Sequence, residues 1–379
     1  MDRERTALAF GLRAPYEPCF FERPLRPPGE DEFVVETLFT GLSAGTELSY
    51  YKGTNPYVHA GFDAELGVFR HDQRGEGYPV ERLGYMEVGR VTESRSSRVE
   101  PGELVAMAYG HRTAYTARVG VDRFVVLPNE LDPLLGVYVA HMGPICANGL
   151  LHAAAEMQAG PTASLGDGVR DRHVVVMGAG VVGLLTAAFA AHHGAATVAV
   201  VDASARRLAA AGTLGFTAVE ETPDTWRRFK EEWVHGPRDR GADVVFQCRG
   251  HASRLAAGLR CLRPQGTVID LAFYQDGATD LRLGEEFHHN GLTVRCAQIS
   301  RVPRSMSTSW DRDRLSEETL ELLMACGDRL RASLVTDIVK LADAGRLLAE
   351  LAARERDVIQ AVFSVDGATE ARADSAIRS

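Results

Sequence analysis

The chain has no CxxC pair, no long apolar run and no basic block, and each absence removes a class of protein. Its six cysteines (Cys19, Cys146, Cys248, Cys261, Cys296 and Cys326) are scattered, without the paired spacing of a zinc knuckle or redox disulfide. In a 379-residue chain with no secretory leader, they are expected to be reduced thiols, mostly buried. The opening "MDRERTALAF" carries acids and lacks an apolar core of signal-peptide length. No run approaches ~18 apolar residues, so no membrane-spanning helix is expected. The formal net charge is −9, and acids lie close to Arg206 and Arg207, Arg227 and Arg228, and Arg238 and Arg240. Solvated surface explains these short groups better than a nucleic-acid footprint. What remains is a cytoplasmic protein whose partner is a small-molecule substrate.

What the chain does have is a hydrophobic fraction of 45%, enough for real cores, and a length that favours two domains over one. Its clearest local pattern is "HVVVMGAGVVGLLTAAFAAHHGAATVAVVDASARR". His173–Met177 is a short β-branched run suited to a strand buried on both faces. Gly178, Gly180 and Gly183 follow as GxGxxG, and the Ala/Leu-rich stretch 181–193 predicts a helix. Gly194 ends it, and 197–201 predicts the next strand. Gly178 makes the tight turn, Gly180 lets backbone approach a pyrophosphate, and Gly183 allows close helix–strand packing. Val181 and Val182 open the helix, whose free N–H groups and positive dipole end suit phosphates. Asp202 ends the second strand, where a carboxylate can accept both ribose hydroxyls. It argues for NAD over NADP, although Arg206 or Arg207 could instead turn back toward a 2′-phosphate.

The rhythm continues through "GADVVFQCRG", "CLRPQGTVIDLAFY" and "LTVRCAQI", each predicting a strand, with helices expected over 206–212 and 252–262. This is the alternation of a parallel sheet. Ligands of such sheets sit beyond the carboxyl ends of the strands, which makes Cys248, Arg249, Gly250, Ala272 and Phe273 candidate cofactor contacts. Residues 1–140 read differently, as short strands separated by Gly, Pro and Asp turns, including the turn in "VEPGELVAMA". "MGPICANGLLHAAAEMQAG" predicts a helix after Pro144, and "AGPTASLGDGVRDR" an ordinary exposed loop. "LAELAARERDVIQAVFSVD" predicts a helix followed by a strand.

With these landmarks in order, among them "GLSAGTELSYYKG", "GYMEVGRV", "VVVMGAGVVGLL" and "LRLGEEFHHNGLTV", the chain resembles the medium-chain dehydrogenase/reductase superfamily along nearly its whole length. The resemblance implies an α/β protein: a Rossmann nucleotide-binding domain plus a GroES-like, mostly β catalytic domain. The expected division is 1–145 for the catalytic domain, 146–300 for the Rossmann domain, 301–366 for a return to the first, and a loose tail over 367–379. A homodimer through the Rossmann domain is implied too, with 292–296 as an edge strand.

The chain departs from that family at the zinc positions. Zinc-dependent members carry Gly-x-Cys-Gly-Thr-Asp, whereas residues 41–47 read GLSAGTE, one residue longer, so that Ser43 or Ala44 stands in the cysteine's place. Gly-His-Glu becomes Gly84-Tyr85-Met86, and the later glutamate becomes Gly143. Ser, Tyr, Met and Gly do not supply the thiolate, imidazole or carboxylate that Zn²⁺ takes, so no metal is expected, and His111, His141, Cys146 and Glu47 are the one unusual donor set the chain offers instead. A hydroxyl or neutral imidazole must then serve the reacting oxygen. The candidates are Tyr85 first, then Ser43, Thr46 and His141, with Glu47, Tyr50, Tyr51 and Met86 shaping the substrate pocket. The implied activity is metal-independent, NAD(P)-dependent interconversion of a secondary alcohol and ketone, on a polyhydroxylated, sugar- or cyclitol-like biosynthetic intermediate. Ene or quinone reduction, and a non-catalytic redox sensor or subunit, are the alternatives.

Overall fold

The structure, a computed structural model, describes residues 5–157, 160, 162–275 and 277–365. The expected loose tail, 367–379, lies outside them. The chain divides into two units: one runs to His141 and resumes at Val335, and the other spans Met142–Leu334.

The first unit begins with an antiparallel pair, β1 (Thr6–Ala14) and β2 (Glu17–Pro24). β3 (Glu32–Gly41) leads into α1 (Ala44–Tyr51) and the short α2 (Pro56–His59). A hairpin of β4 (Ala60–Asp63) and β5 (Val68–Arg74) follows, then β6 (Glu87–Ser94), β7 (Leu104–Met107), β8 (Ala114–Arg118) and β9 (Val125–Val126). The expected turn between β6 and β7 is present, with Gly102 at φ +100°. β3 pairs with both β6 and β8. Phe33, Val35, Val91, Val105, Met107 and Ala117 pack between these strands. Burying each large side chain stabilises the unit by about 1.5–3 kcal/mol relative to exposing it.

The second unit opens with α3 (Met142–Met157). It continues as β10 (His173–Met177), α4 (Val181–His192), β11 (Thr197–Asp202), α5 (Ala205–Thr213), β12 (Thr217–Glu220) and α6 (Thr225–Glu232). A small hairpin, β13 (Val234–Gly236) and β14 (Asp239–Arg240), precedes β15 (Ala242–Gln247). Then come α7 (Ala252–Cys261), β16 (Leu262–Asp270), α8 (Glu286–His289), β17 (Thr293–Cys296) and α9 (Arg312–Leu334). The sheet order is β12-β11-β10-β15-β16-β17, every pair parallel, which is the doubly wound order with its switch point between β10 and β15. β17 lies at one edge, as expected.

Three expectations change. Segment 301–334 does not return to the first unit, because α9 packs on α3: a Cβ at Gly143 would overlap the Thr319 side chain. The boundary expected at 145 falls at 141 because α3 already begins at Met142. The "exposed loop" before β10 contains a buried 3₁₀ turn, Leu165–Gly168, closed by a Ser164–Asp167 capping box. Its Gly168 packs so tightly on α3 that a Cβ would lie 2.5 Å from Ala154 N.

β18 (Val335–Lys340), α10 (Ala344–Ala352) and β19 (Gln360–Ser364) complete the first unit. Its largest sheet runs β18-β19-β3-β6-β7-β9. Ala344, Leu347 and Leu348, at helical spacing, bury one face of α10 against Phe10, Leu42 and Phe363. No helix among the described residues is long and apolar enough to cross a membrane. All six cysteines are free, but only Cys146 and Cys261 are buried and Cys296 is exposed, so "mostly buried" overstates the case.

Candidate functional site

The loop from β3 to α1 builds the first cluster. The Ser43 side chain does not cap α1, although its position precedes the helix. Instead its N–H donates to Glu47 Oε1 at 2.7 Å, which frees Oγ to hydrogen-bond the Tyr85 hydroxyl. The Tyr85 ring lies 4.4 Å from the His141 ring, tilted by 50°. Ser43, Tyr85 and His141 are thus brought together, with Ser43 buried and the other two half-buried. Thr46 lies in the first turn of α1, where its carbonyl accepts from Ser49 Oγ at 2.6 Å. It is not joined to the other three by any of these bonds.

Beneath this cluster lies a polar network in which Glu47 and His111 meet Thr40 and Glu87. Glu47 Oε2 lies 2.7 Å from His111 Nε2, and His111 Nδ1 lies 2.6 Å from Thr40 Oγ1. Thr40 donates to Glu87 Oε1 at 3.0 Å. Glu87 also accepts from the N–H groups of Met86 (3.1 Å), Tyr109 (2.7 Å) and Gly110 (3.1 Å). None of Thr40, Glu47, Glu87 and His111 is more than 1% exposed. Four donors on Glu87 call for an acceptor-only carboxylate, and Thr40 has a single hydroxyl hydrogen, committed to Glu87. Thr40 must therefore accept from His111 Nδ1–H, and one proton is shared between His111 Nε2 and Glu47 Oε2. Burial alone would lower the His111 pKa, but the adjacent Glu47 and the charge of Glu87 outweigh it and raise the value. Burial pushes the Glu87 carboxyl up, against the pull of His111 and its hydrogen-bond donors.

Glu47, Tyr51 and Met86 are accordingly interior residues rather than pocket walls. Tyr51 packs with Phe10 and Leu347, and Met86 Cε would press on any Cβ added at Gly41, at 2.7 Å. Tyr50 is half-buried; burial pushes its hydroxyl up to about 12. Glu87, missed in the sequence, had a legible signal, an acid opening the apolar strand "MEVGRV". His111, named only as a metal donor, had no signal for this role.

The donor set does not fit zinc. Ser43 and Tyr85 offer hydroxyls, Met86 is sealed in the interior, and Gly143 has neither a side chain nor space for one. Among the described residues, no three His, Cys, Asp or Glu side chains are grouped to hold a metal ion.

The second unit gathers the nucleotide signals at its switch point. Gly178 adopts φ +104°, and a Cβ there would lie 3.3 Å from Arg249 Cβ. The turn after β10 therefore lies against the turn after β15, and Cys248 N–H donates to Met177 O at 3.0 Å. A Cβ on Gly183 would overlap the Gly178 carbonyl oxygen, and one on Gly250 the Phe273 carbonyl oxygen. Only glycine permits either approach. Val181 and Val182 open α4 just after Gly180, where backbone donors are free of helical partners. Asp202 Oδ2 accepts from Ala179 N–H and Oδ1 from Ser204 N–H, both at 2.8 Å, which fixes the carboxylate beside the Gly-rich turn. The Arg207 guanidinium reaches the same turn, 4.0 Å from where a Gly180 Cβ would stand. Ala272 N–H donates to Asp270 Oδ1 at 2.9 Å, shaping the turn after β16 in which the partly exposed Phe273 lies. Cys248 is half-buried by area, yet burial of its thiol raises its pKa well above the usual value, so it is not a thiolate. The turn geometry and the acid fit a dinucleotide.

Comparison with known proteins points the same way. A family model described as "Zinc-binding dehydrogenase" matches residues 181–312. The D-guloside 3-dehydrogenase of Escherichia coli (strain K12) is 26% identical over 308 residues, 78% of this chain and 81% of that protein. The D-xylulose reductase of Saccharomyces cerevisiae is 33% identical over 104 residues, 27% of this chain and 29% of that protein. Among solved structures, an Escherichia coli oxidoreductase/dehydrogenase of unknown specificity superposes with a TM-score of 0.70. That pair is 20% identical over 96% of this chain and all of the other, a likeness of fold.

Proposed function

We propose that the chain is an NAD(P)-dependent oxidoreductase of the medium-chain dehydrogenase/reductase superfamily, and that it interconverts a secondary alcohol and its ketone without a metal. The observation that carries this reading is the hydrogen bond between Ser43 and Tyr85, the latter at the resembling family's histidine position, beside the His141 ring. Bound NAD(P) supplies or accepts the hydride. In reduction, the Tyr85 hydroxyl delivers its proton to the ketone oxygen, and in oxidation it takes the alcohol proton back. Ser43 Oγ holds the phenol in place, and the His141 ring fixes its plane. General acid–base catalysis of this kind contributes about 10²–10⁴-fold.

In the nucleotide unit, Gly178, Gly180 and Gly183 with Val181 and Val182 would hold the pyrophosphate. Asp202 would take the ribose hydroxyls, which favours NAD. Arg207, at the same turn, would serve a 2′-phosphate if NADP is used. Cys248, Arg249, Gly250, Ala272 and Phe273 would line the rest of the cofactor cleft. The guloside and xylulose named for the two relatives support a polyhydroxylated, sugar- or cyclitol-like substrate, the class expected of a biosynthetic intermediate. The exposed Val294 on the edge strand β17 supports pairing of two copies.

The test is Tyr85→Phe assayed across sugar alcohols and ketoses with 4-deuterated NADH. The expected result is a kcat/KM loss of about 10²–10⁴-fold, with cofactor binding retained and deuterium on the carbinol carbon of the product. Deuterium on the β-carbon of an enone substrate, or full activity in the phenylalanine variant, would overturn the reading. Loss of activity on chelation, restored by zinc, would do the same.

A further inference from the structure

His111 bears on both Ser43 and Tyr85. On one side its Nε2 shares a proton with Glu47 Oε2 at 2.7 Å, and the other oxygen of Glu47 accepts the Ser43 N–H at 2.7 Å. On the other side its ring lies against Gly84, the residue before Tyr85. A Cβ at Gly84 would stand 2.5 Å from His111 Cε1 and 2.7 Å from each ring nitrogen. The imidazole itself is held from every direction. Nδ1 is tied through Thr40 to Glu87, the ring meets Phe363 edge-on at 5.2 Å, and the backbone is bonded to Phe10 and Leu83.

We propose that His111 is the positioning residue of the Ser43–Tyr85 pair, setting Ser43 through the Glu47 bridge and Tyr85 through contact with Gly84. The proposal rests on the assignment of Tyr85 and Ser43 as the acid–base pair. A hydrogen bond between two hydroxyls on different loops is held best when both loops are referenced to the same rigid groups. Ser43 stands at the start of α1 and Tyr85 between Gly84 and β6, 42 residues apart in sequence. The strands behind the two loops are already joined, with β3 paired to β6 and Gly41 N–H donating to Met86 O at 2.8 Å, and the imidazole adds a side chain that meets both loops beyond that ladder. Withdrawing the imidazole leaves the Glu47 carboxylate buried with Ser43 N–H as its remaining partner and opens a void behind Gly84. Both reference contacts are lost together. His111 acts through geometry and takes no part in proton transfer to the substrate.

The experiment is a double-mutant cycle of His111→Gln and Tyr85→Phe, with His111→Ala alongside. Glutamine can return one neutral donor toward Glu47, and alanine cannot. In the native background, His111→Gln should lower kcat by about 10²-fold, the cost of an ångström-scale misplacement. The KM and Kd for the cofactor should not change, because Gly178–Gly183 and Asp202 belong to the other unit. His111→Ala should lose more, so that Gln counts as a partial rescue. In the Tyr85→Phe background, His111→Gln should cost no more than about twofold, the scatter of a mutation with nothing left to act on. If His111→Gln costs the same factor in both backgrounds, the positioning role is overturned while the acid–base assignment stands. If Tyr85→Phe is fully active, that assignment falls and the positioning role falls with it. Should the His111 variants fail to fold, Glu47→Gln carries the test. Its amide oxygen can still accept Ser43 N–H and its NH₂ can donate to a neutral His111 Nε2. It should retain at least about a tenth of native kcat if geometry is what matters, and a loss as deep as that of Tyr85→Phe would overturn the proposal.

Discussion

Replacing Gly84 by alanine tests the contact that links His111 to Tyr85. Two penalties are expected, and a second glycine separates them. Gly84 sits at φ +90°, where an L side chain costs about 1–3 kcal/mol. The new Cβ would also lie 2.5–2.7 Å from three atoms of the His111 ring. That ring cannot swing aside without breaking its bonds to Glu47 and Thr40, so overpacking adds about 1–3 kcal/mol. Gly102, in the turn between β6 and β7, has a similar φ of +100° but nothing within 4 Å of an added Cβ. Gly102→Ala should therefore incur the backbone penalty alone, and Gly84→Ala should incur both. At about 2–4 °C per kcal/mol for a unit of this size, the melting temperature of Gly84→Ala should fall below that of Gly102→Ala by about 2–12 °C. Calorimetry of both variants measures the difference, and a parallel assay should show kcat depressed only in Gly84→Ala. Equal melting temperatures would refute the reasoning, because they would mean that the ring is not wedged against Gly84.

Gly183→Ala should drive the start of α4 away from the Gly178 carbonyl and weaken cofactor binding by at least about 10-fold, near 1.4 kcal/mol. Titration of nicotinamide fluorescence checks it, and unchanged affinity would refute the phosphate-turn assignment. His111 has a raised pKa, so the folded state binds its proton more tightly than the unfolded chain does. Its stabilisation is whole below the unfolded value of 6.5 and is lost as pH rises through the folded value. The raised Glu87 carboxyl acts with the same sign from 4.5 upward. The melting temperature should thus decline from neutral into alkaline pH, with a shallower slope in His111→Gln; a flat or rising native profile would contradict the proton assignment.

The nucleotide unit was legible because its signals are local. β10 runs over His173–Met177 as expected, and α4 ends one residue early at His192, since spacing, glycine and β-branching act within a few residues of each other. α9 carried no comparable expectation. Its 23 residues include charged faces and a non-helical Cys326, and its membership of the second unit follows from contact with α3 rather than from any local pattern. The site divided in the same way. Ser43 and Tyr85 could be named because each stands where the resembling family carries a zinc ligand, and His141 because it stands at the expected domain junction. Glu47 could be named but not placed: it was expected to shape the substrate pocket, and it is buried against His111, 64 residues away.

That pairing bears on how a site with no fitting metal ligands can still be rigid. A metal centre fixes its ligands by short directional bonds, and removing one ligand leaves the others in place. A hydrogen-bonded reference is more fragile, because each buried charge depends on its partner. Two carboxylates and one imidazole share too few positive charges to be neutral, so the Glu87 carboxylate is sustained by its N–H and hydroxyl donors and Glu47 by His111. Breaking such a buried pair costs about 3–5 kcal/mol, far more than the pair would be worth at the surface. The same energetics that make the network costly to break give it two discrete conditions, assembled or lost. A Ser43–Tyr85 bond referenced to it inherits that definiteness, which a pair of hydroxyls on two loops could not supply alone.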